Sequence, residues 1–278
     1  MYYILNNYLI FNKKSDFCPV KTIEMNAYCT MAIIPARYAS TRLPAKPLIQ
    51  IRGKSLIQRV CERVQLAKSI DHFCVATDDI LIYNHVKKLG YDVLMTRYDQ
   101  PSGTYRCAEV LSQFPMVTHV VNVQGDEPLI DPEMIDQLAM HIIGQNGLTV
   151  ATLIRRIEQA SELFNPNVVK VVTNLQQDAM YFSRQAIPFV RDAAESAWLQ
   201  QGPFYKHIGM YAYTAQALMA IEKLPGHVYE SMEKLEQLTW LAQGFKIQCI
   251  ETMLESRGID TEEDLRIVTA MIESREQE

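Results

Sequence analysis

The sequence predicts an α/β protein with a mixed sheet that carries helices on both faces. From Met31 onward, short runs of β-branched and apolar residues alternate with longer amphipathic stretches, which is the pattern of a doubly wound sheet. Two polar loops directly follow predicted strands, and in such sheets ligands bind beyond the carboxyl ends of the strands. The first four predicted strands cover residues 32–35, 73–77, 93–95 and 119–123.

The segments between the first strands have the spacing of helices that lay one face on a sheet. Apolar residues recur there at intervals of three and four positions: Leu56, Ile57, Val60, Val64 and Ala67. A second helix is predicted over residues 79–89, because Gly90 supplies the residue type that commonly follows a helix end.

Beyond Gly125 the alternation continues with one departure. We predict, in order, a helix from about Pro132, strands at 149–154, 168–172 and 208–213, a helix over 230–242, a strand at 246–250 and a helix after Thr261. Residues 155–206 fit the alternation least well, and we expect them to cover the site or to supply a subunit contact. Residues 1–30 precede the first clear strand, and we expect a loosely packed, dispensable extension to one domain over residues 31–278.

Composition and charge limit the classes of function. With 278 residues, 48 % of them hydrophobic, the chain can bury a substantial core. The formal net charge of -5 argues against a protein that wraps nucleic acid, since such proteins are usually basic. No apolar run approaches the roughly 18 residues that span a bilayer, so we expect no membrane partner. Six cysteines without a Cys-x-x-Cys pair argue against a zinc ribbon and fit a reducing cytoplasm.

The loop after the first strand is basic in an acidic protein. It carries Arg37, Arg42 and Lys46, and Pro44 and Pro47 prevent a helix that would align these cations on one stripe. We therefore expect the three cations to converge from a curved loop on one anion, for which a triphosphate is suitable.

Two acidic segments offer the opposite charge. Asp126 and Glu127 follow the fourth strand, where they either hold a divalent cation or form a solvated acidic turn. Asp260 precedes a helix start at which Thr261 and Asp264 can form a capping box, and capping alone would explain that acidic run. If Asp260 instead faces Asp126 across the cleft, the two carboxylates form a Mg²⁺ site completed by substrate oxygens.

The segment Ser102-Gly-Thr-Tyr-Arg106 is a candidate nucleotide contact. Gly103 lets the backbone approach a ligand, and Arg106 lies at the beginning of the next helix. An ordinary helix start capped by Ser102 explains the same residues equally well.

Residues between 184 and 237 give weaker indications of a ligand site. A lone histidine such as His207 is usually structural. Arg184 lies beside an apolar segment, so its charge needs an anionic partner, either a protein acid or a substrate carboxylate. Glu233 and Glu236 are one turn apart on the predicted helix over 230–242, with Gln237 beside them, and most such pairs belong to solvated faces.

Seven sequence blocks carry a family resemblance. In chain order they are IIPARYASTRLPAKPL, VNVQGDEPLI, NPNVVKVV, YFSRQAIP, KHIGMYAY, LEQL and GIDTEEDL. Together, over about residues 31–275, they resemble the 3-deoxy-manno-octulosonate cytidylyltransferases. The resemblance implies a nucleotidyltransferase-type, Rossmann-like fold and a cytoplasmic homodimer. It also implies that CTP and 3-deoxy-manno-octulosonate (Kdo) react with Mg²⁺ to give CMP-Kdo and pyrophosphate for lipopolysaccharide biosynthesis.

The resemblance implies a role for each candidate residue. The cations at the triphosphate would be Arg37, Arg42 and Lys46. The residues that line the cytidine would be Ser102, Gly103, Arg106 and Gln124. The ligands of magnesium would be Asp126 and Asp260. The residues that face the sugar acid would be Arg184, His207, Glu236 and Gln237. The catalytic residues among these would be Arg37, Lys46 and Asp126.

Three residues depart from the family pattern. Ala45 and Ala212 stand where glycine is usual, and Tyr105 stands where an acidic residue is usual. If the backbone at Ala45 has a positive φ, the cost is on the order of 1 kcal/mol. Two alternatives stay open, namely a cytidylyltransferase for another 2-keto sugar acid, such as 8-amino-Kdo or sialic acid, and a non-catalytic nucleotide-binding homologue.

Overall fold

Nine strands form the main sheet in the part of the chain that the computed structural model describes, which comprises residues 4–5, 8–9, 28–38, 43–147 and 149–276. They are β1 (Thr30–Ala36), β2 (His72–Thr77), β3 (Val93–Met95), β4 (His119–Asn122), β5 (Val150–Arg156), β6 (Lys170–Thr173), β7 (Ala179–Ser183), β8 (Tyr205–Thr214) and β9 (Ile247–Glu251). Every strand except β7 lies at a position predicted from the sequence. Two short pairs lie outside this sheet, Ile4–Leu5 with Tyr8–Leu9 and Gln50–Ile51 with Lys54–Ser55.

The order of the strands places four loops on one side of the molecule. Across the sheet the order is β7, β6, β8, β4, β1, β2, β3, while β5 pairs with β8 and β9 pairs with β5. β1 pairs in parallel with β2 and β4, and β2 pairs in parallel with β3. β8 is antiparallel to β4, β5 and β6, so the sheet is mixed, as predicted. The loops that follow β1 to β4 therefore emerge at the same edge.

Helices cover both faces of the sheet. They are α1 (Leu56–Val64), α2 (Ile80–Lys88), α3 (Gly103–Leu111), α4 (Pro132–Ile142), α5 (Ala160–Leu163), α6 (Trp198–Gln201), α7 (Ala215–Ile221), α8 (Val228–Glu233), α9 (Gln237–Ala242) and α10 (Glu262–Arg275). Ile34 of β1 packs in a core with α1, α2, α4 and α10, whereas Ile33 packs in a second core with α3, α7 and α9. Alternate side chains of one strand thus enter opposite cores, as in a strand buried on both faces.

The prediction of one continuous helix over residues 230–242 is wrong, because the helical conformation is interrupted within this range. Lys234 has a φ of 54°, in the left-handed region, and it separates α8 from α9. Glu233 ends α8 and Glu236 precedes α9, so the two carboxylates do not share one helical face. The predicted capping box at the start of α10 is confirmed, since Thr261 and Asp264 bond reciprocally.

Residues 155–206 extend the sheet rather than interrupt it. They contain the β6–β7 hairpin, which lengthens one edge, and a small apolar cluster formed by Ile157, Leu163, Trp198 and Phe204. Whether this segment covers the site or contacts a second subunit stays a prediction. None of the described helices has the length and hydropathy needed to cross a bilayer.

The predicted amino-terminal extension lies mostly outside the described residues. The first strand of the main sheet begins at Thr30, one residue before the predicted boundary, and Thr30 is buried. The carbonyl of Cys29 accepts hydrogen bonds from the backbone of Thr118 and His119, so the chain is already part of the sheet at this residue. The domain division at residue 30 otherwise stays a prediction.

Candidate functional site

Arg37 follows β1 at the edge where β1 to β4 end, and its side chain is half-buried. Desolvation and the neighbouring Arg106 lower the pKa of Arg37, whereas the carboxylates of Asp78 and Glu236 oppose this shift. Among the described residues no carboxylate forms an ion pair with Arg37. Arg37 is therefore placed to attract an anion at this edge of the sheet. Arg42, the second predicted cation of this loop, lies outside the described residues.

The loop after Arg37 turns sharply at Ala45. The φ of Ala45 is 55° and its ψ is 26°, so the positive φ that is the condition for strain at this position is present. The amide of Ala45 donates to the carbonyl of Tyr38 over 3.2 Å, and the amide of Leu48 donates to the carbonyl of Ala45 over 2.8 Å. These bonds close the loop and begin a short 3₁₀ turn at Lys46–Leu48, which orients the Lys46 side chain.

Replacing Ala45 by glycine is expected to raise the free energy of unfolding by about 0.5 to 1 kcal/mol, because glycine adopts left-handed backbone without the Cβ penalty. Urea unfolding of the two proteins measures the difference. Ala270 is the matched control, since it is exposed within α10 and its replacement by glycine should destabilise by about 1 kcal/mol. Equal destabilisation by both substitutions would contradict the strain at Ala45.

Lys46 joins two acidic residues that are far apart in the sequence. Its Nζ donates to Oδ2 of Asp126 over 2.6 Å and to Oδ1 of Asp260 over 3.1 Å, and also to the carbonyl of Ile259 over 2.8 Å. Desolvation acts against the charge on Lys46, but the two carboxylates outweigh it and raise the pKa of Lys46. The expectation that Asp260 faces Asp126 is confirmed, because both carboxylates contact one ammonium group.

Backbone contacts hold the two aspartates together. The amide of Ile259 donates to the carbonyl of Asp126 over 3.0 Å, and a Cβ on Gly258 would lie 3.8 Å from Oδ1 of Asp126. The loop that carries Asp126 is in turn packed against β1, since a Cβ on Gly125 would lie 2.4 Å from the carbonyl oxygen of Pro35. Gly125 therefore allows the contact between the ends of β4 and β1.

Replacing Gly125 by alanine is expected to destabilise the protein by about 1 to 3 kcal/mol, because the new Cβ and the Pro35 carbonyl cannot both keep their positions. The same shift moves Asp126 and should lower activity. The matched control is Gly226→Ala, since nothing lies within 4 Å of a Cβ at Gly226. Urea unfolding and turnover should change in the first variant and stay near wild type in the second. A Gly125→Ala protein of normal stability would show that the contact is dispensable.

Glu127 has a different environment from its neighbour Asp126. Its side chain is buried, and burial raises the pKa of Glu127 to about 7, with the nearby Asp126 adding to the shift. Its Oε2 has no hydrogen-bond partner among the described residues. Of the two adjacent acids, Asp126 is therefore the one that faces the cleft with Lys46.

The start of α3 lies against the end of β1. A Cβ on Gly103 would lie 3.3 Å from Cγ of Pro35, so this position is tight as well. Ser102 precedes the helix without capping it. Its hydroxyl donates instead to Oε2 of Glu236 over 2.5 Å, and the hydroxyl of Thr104 donates to Oε1 of the same carboxylate over 2.8 Å. The predicted cytidine and sugar-acid residues thus meet at Glu236.

Arg106 is completely buried beneath these residues. Its Nη2 donates to Oδ2 of Asp78 over 2.8 Å, and Nη1 donates to the hydroxyl of Thr96 and, over 3.3 Å, to the carbonyl of Arg97. Its Nε is buried without a partner among the described residues. Arg106 therefore connects the ends of β2 and β3 and presents no exposed surface to a ligand in this structure.

Gln124 and His207 both lie near a bulge in β8, Gln124 in the loop after β4 and His207 within β8 itself. The register of β8 against β5 shifts between Ile208 and Tyr211, and Nε2 of Gln124 donates to the carbonyl of Gly209 over 2.7 Å. His207 is within hydrogen-bond distance of the Thr152 hydroxyl, 3.0 Å from its Nε2. Burial lowers the pKa of His207 to about 3, so the ring is neutral and can only exchange hydrogen bonds with a ligand.

The low pKa of His207 predicts a stability that declines in acid. The folded protein binds a proton at His207 only near pH 3, whereas the unfolded chain binds it near pH 6.5, so stability is lost as the pH falls below about 6.5. His207→Gln should reduce the loss between pH 7 and pH 5 by on the order of 1 kcal/mol. Urea unfolding of both proteins at the two pH values measures the difference, since all other histidines are shared. Equal losses in the two proteins would exclude a neutral His207.

Arg184 is held by backbone carbonyls rather than by a protein acid. Its Nε donates to the carbonyl of Glu233 over 2.7 Å and its Nη1 donates to the carbonyl of Pro166 over 3.1 Å. The Glu233 carboxylate instead accepts hydrogen bonds from the Ser183 hydroxyl over 2.7 Å and from the backbone amide of Arg184 over 3.0 Å. Among the described residues no carboxylate therefore neutralises the guanidinium of Arg184, so this group can pair with an external anion.

Gln237 begins α9 next to Glu236 and is buried in the core side of the helix. Burial raises the pKa of Glu236, although hydrogen bonds from Ser102 and Thr104 oppose the shift. The solvated face predicted for Glu233 and Glu236 is therefore wrong, because both side chains are half-buried and both carboxylates accept hydrogen bonds from other segments.

Two residues of this site were missed by the sequence-based reasoning. Asp78 immediately follows β2, at the edge of the sheet where the loop with Asp126 also lies, so its position at a strand end was a usable signal. Thr104 had no such signal, because its partner Glu236 lies 132 positions away. Only the fold brings Thr104 and Glu236 together.

The acidic pair suits a hard divalent cation that also binds substrate oxygens. Two carboxylates converge on one positively charged group, which is the donor set that Mg²⁺ commonly uses with phosphate oxygens. Among the described residues no group of three or more His, Cys, Asp or Glu side chains could hold a metal alone. The residues therefore fit an ion whose coordination a substrate completes.

The chain is similar to known cytidylyltransferases. A family model described as Cytidylyltransferase matches residues 31–247. A 3-deoxy-manno-octulosonate cytidylyltransferase of Parabacteroides distasonis is 47 % identical over 250 residues, which are 88 % of this chain and 98 % of that protein. An 8-amino-3,8-dideoxy-manno-octulosonate cytidylyltransferase of Shewanella pealeana is 44 % identical over 243 residues, which are 86 % of this chain and 97 % of that protein.

A solved structure has the same fold. A CMP:2-keto-3-deoxy-manno-octonic acid synthetase complexed with CTP matches this chain with a TM-score of 0.82 and 38 % identity, covering 89 % of this chain and 99 % of the other. The similarity therefore extends over nearly the whole length of these proteins.

Proposed function

The chain belongs to the 3-deoxy-manno-octulosonate cytidylyltransferase family, and on this premise we propose that it joins CTP and Kdo to give CMP-Kdo and pyrophosphate. The observation that carries the proposal is the meeting of Lys46 with Asp126 and Asp260, beside the strand end that leads to Arg37. A polyphosphate substrate that binds with a divalent cation needs this combination of charges.

Arg37, Arg42 and Lys46 bind the triphosphate in this proposal. Arg37 supports it directly, because its charge is half-buried and forms no ion pair among the described residues. Fixed cations at this position neutralise the charge that develops on the leaving pyrophosphate, and positioning with charge neutralisation provides most of the acceleration in such transfers.

The reaction itself needs no covalent enzyme intermediate. The hydroxyl at C2 of Kdo attacks the α-phosphorus of CTP and forms the new P–O bond. The bond from the α-phosphorus to the oxygen that bridges to the β-phosphate breaks, pyrophosphate leaves with that oxygen, and the hydroxyl proton passes to the solvent. Asp126 and Asp260 would hold Mg²⁺, which would screen the repulsion between the two anionic reactants. Arg37 and Lys46 keep the phosphates in line with the incoming oxygen.

The cytidine is assigned to the residues at the ends of β1 and β4. Ser102 precedes α3 and Gly103 begins it, Gln124 follows β4, and the two segments meet near Pro35. Arg106 supports this pocket from beneath by joining Asp78 to the end of β3, and its direct contact with the base stays a prediction.

The sugar acid is assigned to Arg184, His207, Glu236 and Gln237. Arg184 carries the positive charge that a carboxylate needs, whereas the neutral His207 suits a hydroxyl group. Glu236 accepts hydrogen bonds from both Ser102 and Thr104, so it lies where the two substrates would meet.

Two alternatives differ from this proposal in what the assay would show. The Shewanella pealeana relative is named for the 8-amino sugar acid, so a related acceptor is a specific competitor. Pyrophosphate release should be measured with CTP and Mg²⁺ and with Kdo, 8-amino-Kdo or sialic acid in parallel, with ATP, GTP and UTP as controls. We expect the highest kcat/KM with CTP and Kdo. A higher value with another acid would reassign the substrate, and CTP binding without pyrophosphate release from any acid would indicate a non-catalytic homologue.

We also propose that the enzyme is a cytoplasmic homodimer. The segment over residues 155–206 exposes the apolar side chains of Met180 and Phe189, which supports a contact with a second copy. Sedimentation analysis of the purified protein tests the oligomeric state.

A further inference from the structure

Lys170 is a buried cation that the proposed mechanism does not use. It is the first residue of β6, in the block NPNVVKVV, and its side chain has no exposed surface. Among the described residues no carboxylate forms an ion pair with it. Its Nζ donates instead to three backbone carbonyls, those of Asn165 over 2.9 Å, Val168 over 2.6 Å and Arg184 over 2.5 Å. All three protons of the ammonium group are used.

Such an arrangement is costly unless the hydrogen bonds serve a purpose. Burying an ammonium group without a carboxylate partner is unfavourable, and a methionine would fill similar space without that cost. Desolvation accordingly lowers the pKa of Lys170, although the nearby Glu233 opposes the shift. An apolar side chain could not bind three carbonyl groups. Lys170 therefore contributes a hydrogen-bonded link between the backbone segments that carry them.

The three carbonyls belong to two segments, the loop over residues 165–168 and the strand end at Arg184. One is the carbonyl of Arg184 itself. The other two flank Pro166, whose carbonyl accepts the hydrogen bond from Nη1 of Arg184. Lys170 therefore fixes both the backbone from which the Arg184 side chain starts and the loop on which its guanidinium rests.

We propose that Lys170 is a positioning residue for the sugar acid, because its ammonium group holds Arg184 where the guanidinium can bind the carboxylate of that substrate. The inference rests on the proposed function, which assigns Arg184 to the sugar acid. Lys170 does not touch the substrate, and it acts through the orientation of Arg184.

The test is a steady-state comparison of Lys170→Met with the wild type in the pyrophosphate-release assay. We expect the KM for Kdo to rise about tenfold or more while the KM for CTP stays within about twofold, because small displacements of a binding group weaken only the contacts it makes. Val171→Ala is the matched control, since Val171 is the adjacent buried residue of β6 and its apolar side chain cannot form a hydrogen bond to a carbonyl group. It should lose stability in urea without changing the ratio of the two KM values.

A double-substitution cycle distinguishes positioning from a separate effect. If Lys170 acts through Arg184, the Lys170→Met change should add little to the KM for Kdo in a protein that already carries Arg184→Met. Additive effects, an unchanged KM for Kdo in a folded Lys170→Met protein, or equal changes in both KM values would each overturn the proposal. Lys170→Gln, which keeps a hydrogen-bond donor, should be intermediate. If neither Lys170 variant folds, the residue serves the fold as a whole and the proposal fails.

Failure of the proposed function would give a different result. A wild-type protein that releases no pyrophosphate with Kdo, but does so with 8-amino-Kdo or sialic acid, would reassign the acceptor, and the same variants would then be compared with that acid. A wild-type protein that turns over no acid would contradict the enzyme assignment and, with it, the role of Lys170.

Discussion

Asp126→Asn is expected to lower kcat about a thousandfold while the protein stays folded, because the substitution removes one of the two converging negative charges and little volume. Asp126 lies in the loop that follows β4 and is anchored through Gly125 and through the amide of Ile259, and neither contact involves its carboxylate. Lys46 keeps Asp260 as a partner at 3.1 Å, so the surrounding loop retains an ion pair.

The measurement is pyrophosphate release at saturating CTP, Kdo and Mg²⁺, together with urea unfolding. Asp92→Asn is the matched control, because Asp92 is exposed and immediately precedes β3, at the opposite end of that strand from the site. It should retain wild-type turnover. A normal kcat in Asp126→Asn at saturating Mg²⁺ would reject the metal assignment, and loss of the folded state would show that this carboxylate has a structural role.

Lys46→Met is expected to reduce kcat/KM for CTP by about a hundredfold or more, because the variant loses a fixed cation at the triphosphate. It also leaves two carboxylates facing each other without the ammonium group that now separates them. Lys46→Arg keeps the charge in a different shape, and its activity should lie between those of Lys46→Met and the wild type.

Steady-state kinetics with varied CTP check this prediction. Lys54→Met is the control, because Lys54 also pairs with a carboxylate, that of Glu62 at 2.8 Å, but on the exposed turn beyond the loop. An equal loss in both lysine variants would point to a general effect of charge. A Lys46→Met protein with an unchanged kcat/KM for CTP would remove Lys46 from the triphosphate site.

Features that depend on local chemistry could be predicted from the sequence. The alternation of strands and helices reflects side-chain periodicity. The positive φ at Ala45 is indicated only by the glycine that is usual at this position in the family. The capping box of α10 needs only residues three positions apart. The meeting of Asp126 and Asp260 could be anticipated as well, because both follow predicted strands and such ends converge in this class of sheet.

Features that depend on tertiary contacts could not be predicted in the same way. The apolar and polar pattern over residues 230–242 is that of one helix, yet the chain turns at Lys234 and Glu236 accepts hydrogen bonds from residues on α3. Arg106 had the position of a ligand contact, but Asp78 and Thr96 enclose its guanidinium. In each case the partner lies on another element, so no local pattern indicates it.

The bulge in β8 has a consequence for changing the acceptor preference of this protein. β8 pairs with β4 near the proposed cytidine pocket and with β6 near Arg184, and Gln124 is bonded to it at Gly209. The spacing between donor and acceptor is thus set by the main chain of one strand. Enzymes that accept other sugar acids should be obtainable by exchanging side chains of the β6–β7 hairpin and the start of α9, whereas insertions or deletions in β8 should misalign the reactants whatever the acceptor.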